Sequence, residues 1–155
     1  MNLRYLTATI NNFSAGPYGN CFQRAVALVM DVPTAKLVVG TCEDRQDKHL
    51  YLHCWVENRG IYLDPSKFEE HGNQIKPIQK DAFVAVLGAR DIHVIDRKWV
   101  IDFARSGNLK DWILKRDDTY HTLGGVMGEV LMERRGIPYR VDEHGALLPL
   151  PLAQN

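Results

Sequence analysis

The run Cys21-Phe22-Gln23-Arg24-Ala25-Val26-Ala27-Leu28-Val29-Met30 constrains the fold of this chain more than any other stretch. Cys21, Ala25, Leu28 and Val29 recur at one-face helical spacing, with Phe22, Val26 and Met30 beside them. A helix that is apolar nearly all round must be wrapped by other elements. Ahead of it, Ala15-Gly16-Pro17-Tyr18-Gly19 carries turn chemistry, since glycine accepts unusual φ and proline fixes its own. Asn20 suits an N-cap, where its side-chain oxygen accepts from the free amides of the first turn. The order predicts a loop over residues 11–20 that delivers Cys21 to a helix N-terminus. Free N–H groups and the helix dipole favour a thiolate there, and thiolate is the nucleophile. Pro33 ends the helix by biasing Val32 away from helical geometry.

A β-rich segment follows. Residues 37–42 are β-branched and predict a strand, 43–48 a polar loop, and 50–57 a second strand. Asn58-Arg59-Gly60 predicts a hairpin turn with glycine at positive φ, and residues 61–64 the return strand, stopped by Pro65. Near the start, residues 3–10 alternate loosely, as an edge strand or a lead-in would. In the second half, residues 68–79 read as loop and 81–87 as a short helix or strand ended by Gly88. Residues 96–105 and 109–115 read as helices broken by Ser106-Gly107-Asn108, and 123–134 as a helix ending at Gly136. Residues 137–141 and 146–148 flank a turn as a terminal hairpin. The expectation is one α+β domain over 1–155. Its core, about 15–66, packs a nucleophile-bearing helix on an antiparallel sheet, and a mostly helical C-terminal extension covers about 80–155.

Nineteen basic and nineteen acidic residues cancel, and no basic block stands out, so nucleic-acid binding gets no electrostatic support. Three cysteines are no disulfide framework and predict reduced thiols in a cytoplasmic setting. Residues 1–7 lack the charged-then-apolar run of a signal peptide, and no segment nears the roughly 18 apolar residues of a membrane span.

A cysteine nucleophile needs a base in hydrogen-bond reach, and the base needs a partner to orient it. Counting back from the Asn58-Arg59-Gly60 turn brings His53 and Asp64 close on paired strands. A metal site built from Cys42, His49, His53 and Cys54 is the lesser reading: no Cys-x-x-Cys pair is present, and Cys54 alternates away from His49 and His53. His71, His93, His121 and His144 are scattered. No metal or other cofactor is expected.

Gly19-Asn20-Cys21-Phe22 before a helix, then Val32-Pro33 and Leu37-Val38-Val39-Gly40, then His53-Cys54-Trp55-Val56-Glu57 and Tyr62-Leu63-Asp64-Pro65, together resemble the transglutaminase-like cysteine peptidase superfamily. Within it the spacing is similar to the leader-peptide proteases of lasso-peptide biosynthesis. The likeness covers about residues 19–66. It implies a papain-like core with Cys21 as nucleophile, His53 as base and Asp64 as orienting acid, acting by acyl transfer on an amide of a peptide or protein. Peptide hydrolysis, deamidation and transamidation all share that thioester chemistry. The glutamine that papain-type enzymes place before the nucleophile falls here near Ala15. Oxyanion donors are then sought at the Cys21 N–H and at Asn12, Asn20 or Gln23. The alternative is a non-catalytic protein-binding module on the same fold.

Overall fold

A computed structural model describes residues 2–12, 21–67, 74–108, 129 and 131–151. The elements of the first half are α1 (Arg4–Asn12), α2 (Cys21–Asp31), β1 (Ala35–Glu43), β2 (Leu50–Asn58) and β3 (Ile61–Leu63), followed by a 3-10 turn at Pro65–Lys67. Then come β4 (Pro77–Gln79), α3 (Lys80–Leu87), β5 (Arg90–Ile95), α4 (Arg97–Phe103), a π-helical turn at Ala104–Asn108, and the hairpin β6 (Tyr139–Val141) and β7 (Leu147–Pro149). Residues 131–135 are helical as well.

The helix expected after the loop is α2, and every residue from Phe22 to Val29 is buried. The hairpin after it turns through Arg59 at φ 51° and Gly60 at φ 82°, the paired left-handed positions of a type I′ turn. Five strands form one antiparallel sheet in the order β4-β3-β2-β1-β5. Alternation splits its side chains between two faces. Leu37, Val39, Cys54, Val56, Leu63 and Ile95 join one cluster with α2 and with Val100 and Phe103 of α4. Val38, Cys42, Trp55 and Tyr62 pack on the other face with Phe83 of α3. The sheet is thus buried on both sides, which suits the unbroken apolar runs of β1 and β2.

Several expectations are corrected. Residues 3–10 are neither an edge strand nor a lead-in but lie largely within α1. The Asp31 carboxylate, at the end of α2, accepts the Tyr5 and Leu6 N–H groups at 2.9 Å each, satisfying donors in the first turn of α1. Within the loop expected over 68–79, residues 77–79 are strand β4, paired Ile61 to Gln79. The helix expected to break at Ser106-Gly107-Asn108 instead widens into the π-turn. Among the described residues beyond 80, strand is present beside the expected helices, and β5 pairs along β1 as an edge of the main sheet. Other features come out as expected: α3 stops at Gly88, with φ 57°, and residues 131–135 stop at Gly136, with φ 66°. There the Gly136 N–H bonds Glu133 O at 3.1 Å and the Ile137 N–H bonds Met132 O at 2.8 Å, a Schellman closure. The expected helix over 109–115, and most of that over 123–134, lie outside the described residues.

Candidate active site

His53 stands on β2 opposite Gly40 of β1. Its ring stacks on Trp55, with centroids 5.7 Å apart and planes 25° apart, and meets Tyr51 edge-on at 6.0 Å. Asp64 follows directly after β3, and its Oδ2 accepts from His53 Nε2 at 3.0 Å. The other carboxylate oxygen, Oδ1, accepts from the Ser66 hydroxyl at 2.5 Å and the Ser66 N–H at 3.1 Å. With both oxygens engaged, Asp64 cannot swing away from the ring. Arg24, one turn beyond Cys21 on α2, donates from Nη1 to Pro65 O at 3.2 Å, tying the cysteine's helix to the turn that carries Asp64.

The placement of Cys21 follows from the ladder. In the β2–β3 hairpin, Asn58 faces Ile61 and Val56 faces Leu63. Alternate N–H groups of β2 therefore point toward β3, and Cys54 is next in that series. Because β3 ends at Leu63, the Cys54 N–H meets no strand there and is one of the groups that act on the Cys21 thiol. Near this open edge His53 and Cys54, whose side chains leave opposite faces of the strand, both lie close enough to Cys21 to act on its thiol. His53 Nε2 is taken by Asp64, leaving Nδ1 for the sulfur.

The charges follow the contacts. The Cys54 S–H donated to Cys21 holds the Cys21 thiol well below its ordinary 9.0; burial opposes this, and the His53 hydrogen bond and charge and the Cys54 N–H reinforce it. Burial would lower the His53 pKa, but the charge and hydrogen bond of Asp64, joined by those of Cys21, raise it from 6.5 to about 10. Burial would raise Asp64, yet His53 and Ser66 bring it below the usual carboxylate value. The arrangement favours a thiolate–imidazolium pair with a carboxylate behind the ring. Cys54 is pushed well above its ordinary value, first by the hydrogen bond it gives to Cys21 and then by burial. Cys21 itself remains partly exposed, whereas Cys42 and Cys54 are buried.

The structure thus brings together Cys21, His53 and Asp64. Gln23 is 1% exposed, and neither its amide oxygen nor its amide nitrogen has a hydrogen-bond partner among the described residues. Asn12 closes α1, its side chain lying outside the described residues, as do Asn20, Ala15, His71 and His121 altogether. Of the other histidines, His93 is buried on β5 with Nε2 2.7 Å from Leu150 O. His49 and His144 lie 5.2 Å apart between ring centroids, beside an open groove of about 670 Å³ that includes none of the triad. Among the described residues, no group of three or more His, Cys, Asp or Glu side chains is placed to hold a metal ion. None of their helices is long and apolar enough to cross a membrane.

No family model, curated protein or solved structure matches this chain.

Ser66 and Cys54 are the site residues that spacing did not single out. Asp64-Pro65-Ser66 carries a readable signal for the first, since an aspartate commonly accepts from the backbone two residues on. Strand alternation set Cys54 apart from His53, and the open ladder edge is what lets both act on one thiol.

Proposed function

We propose that this chain is a cysteine-dependent acyl-transfer enzyme of the transglutaminase-like, papain-like kind, acting on an amide of a peptide or protein. The observation that supports this reading is the continuous path from Cys21 through the His53 ring to Asp64, with its 3.0 Å bond between Nε2 and Oδ2. In the mechanism, the Cys21 thiolate attacks the carbonyl carbon, and the carbonyl electrons move onto oxygen. The Cys21 N–H, at the start of α2, is one donor for that oxyanion. The intermediate collapses as the His53 imidazolium gives its proton to the departing amine, leaving a thioester on Cys21. Neutral His53 then takes a proton from water, or from an acceptor amine, as that nucleophile cleaves the thioester. Asp64 holds the ring in place and stabilises its charge throughout. The chemistry needs no cofactor.

The test is the rate of Cys21 alkylation by iodoacetamide at pH 6, read by peptide mass spectrometry. An ordinary thiol is only about 0.3% ionised at that pH. Labelling about a hundredfold faster than a free cysteine is expected, with most of the advantage lost in His53→Ala. Slow labelling, equal in both proteins, overturns the enzyme reading and leaves the binding module. A peptide and glutamine-substrate screen follows, in which Cys21→Ala is expected to be inactive while remaining folded.

A further inference from the structure

Two turns of the same chemistry face each other across the open groove. Asp47-Lys48-His49 leads into β2, and Asp142-Glu143-His144 lies between β6 and β7. In each, the aspartate Oδ1 accepts the N–H of the histidine two residues on, at 2.9 Å in both. The first turn is tied again by the Asp44 N–H to His49 O at 2.8 Å, and the second by the Ala146 N–H to Asp142 Oδ1 at 2.8 Å. Both histidines thus stand on fixed backbone, on segments distant in sequence. Along the walls Asp47, Asp142 and Glu143 outnumber Lys48 and Arg140, which favours a cation between them. A tetrahedral ion with bonds of about 2.05 Å to two imidazole nitrogens, each about 1.15 Å from its ring centre, holds those centres about 5.2 Å apart. The rings of His49 and His144 stand 5.2 Å apart, with planes tilted by 56°.

We propose that His49 and His144 chelate one divalent transition-metal ion of the kind that imidazole prefers (Zn²⁺, Ni²⁺ or Cu²⁺), with water filling its other positions. The ring separation already suits the ion, so rotation about the side-chain bonds brings one nitrogen of each imidazole onto it while both backbones stay in place. Glu143 Oε1 lies 3.4 Å from His144 Nε2, where it can accept from that nitrogen while the other binds the metal. Two imidazoles are enough for a chelate. A site with only two protein ligands keeps positions open to water, and its ion exchanges more freely than one in a closed four-ligand structural site. Bound there, the ion clips the β6–β7 turn to the loop that leads into β2, the strand on which His53 follows four residues later. The proposal is independent of the acyl-transfer reading, since neither histidine belongs to the triad.

Ni²⁺ is the probe, chosen over Cu²⁺ because Cu²⁺ oxidises thiols. The full chain, freshly reduced and desalted, is titrated with Ni²⁺ at neutral pH by calorimetry. One equivalent is expected to bind. His49→Ala and His144→Ala are each expected to weaken that binding about tenfold or more, because either change leaves a single imidazole. The double variant is expected to lose no more than the single ones, the non-additivity of a shared ion. Ni²⁺ is also expected to raise the Tm of wild type and to leave that of His144→Ala unchanged. Alanine keeps the N–H that each aspartate holds, and the His144 side chain is 61% exposed, so the His144 variant carries the test even where His49→Ala folds poorly. Cys21→Ala is the control for a rival soft ligand, and its isotherm is expected to match wild type. No uptake below millimolar Ni²⁺ overturns the proposal, as do uptake that persists in His144→Ala and losses that add in the double variant. Uptake abolished by Cys21→Ala overturns it too, by assigning the ion to the thiol.

Discussion

Gly40 faces His53 across the β1–β2 ladder and leaves room for the ring of Trp55. A Cβ at residue 40 would lie 2.7 Å from Trp55 Cη2 and 3.3 Å from both Arg90 O and Ile92 Cγ1, so the indole or the backbone would have to give way. His53 stacks on that indole, and the disturbance passes to its imidazole. Gly40→Ala is expected to cost about 1–3 kcal/mol in urea unfolding, as overpacking of a filled core does, and to slow Cys21 alkylation. A variant unchanged in both would mean that Trp55 does not fix the imidazole. At this scale the positions of the candidate triad were legible, because its members sit at a helix start, inside a strand and just past a strand end, placements that turn and strand patterning predict. The need for glycine at residue 40 was not, because it arises from a tryptophan on the neighbouring strand. Nor was the part played by Cys54, which depends on β3 being three residues long.

Helices α1 and α2 are joined end to start through Asp31, and α2 is closed at the same end by α4. Arg97 of α4 donates from Nη1 to Val29 O, in the last turn of α2, and to Val32 O just beyond it, which also accepts the Ala35 N–H at 3.1 Å. Asp31→Ala strips two N–H groups of α1 of their acceptor. It is expected to cost about 1–2 kcal/mol and to accelerate hydrogen exchange at the Tyr5 and Leu6 amides. Unaltered exchange there would show that other groups secure the helix. This dependence explains why α1 did not read as a helix: its cap lies 26 and 25 residues away from the amides it serves. β5 was equally hidden. It opens on Arg90 and Asp91, Asp91 has φ 55°, and Val94 faces outward at 45% exposure, so apolar alternation is blurred. By contrast α2, β1 and β2 announced themselves, since burial on every side demands long apolar runs.

For the whole molecule, the Cys21–His53 pair sets a pH signature of stability. His53 is raised from 6.5 to about 10, so its contribution is complete below pH 6.5 and is lost as pH climbs through 10. Cys21 is depressed from 9.0, so its contribution is complete above pH 9 and is lost as pH falls through the folded value. Between 6.5 and 9.0 the two slopes oppose one another, the thiol's gain offsetting the imidazole's loss wherever Cys21 is ionised in the folded protein. The unfolding free energy of wild type minus that of Cys21→Ala/His53→Ala, measured under reductant, is expected to be level across that interval and to decline on both sides. A difference that falls steadily above pH 6.5 would instead mean a neutral thiol in the folded protein. The shortness of the His53–Asp64 hairpin carries a kinetic consequence. Its contact spans 11 residues, whereas the one from Cys21 to His53 spans 32, and closing the longer loop costs about 1 kcal/mol more. Loop closure therefore favours the pairing of acid and imidazole over the docking of the sulfur, and on partial opening the Cys21 thiol is the member expected to lose its neighbours first.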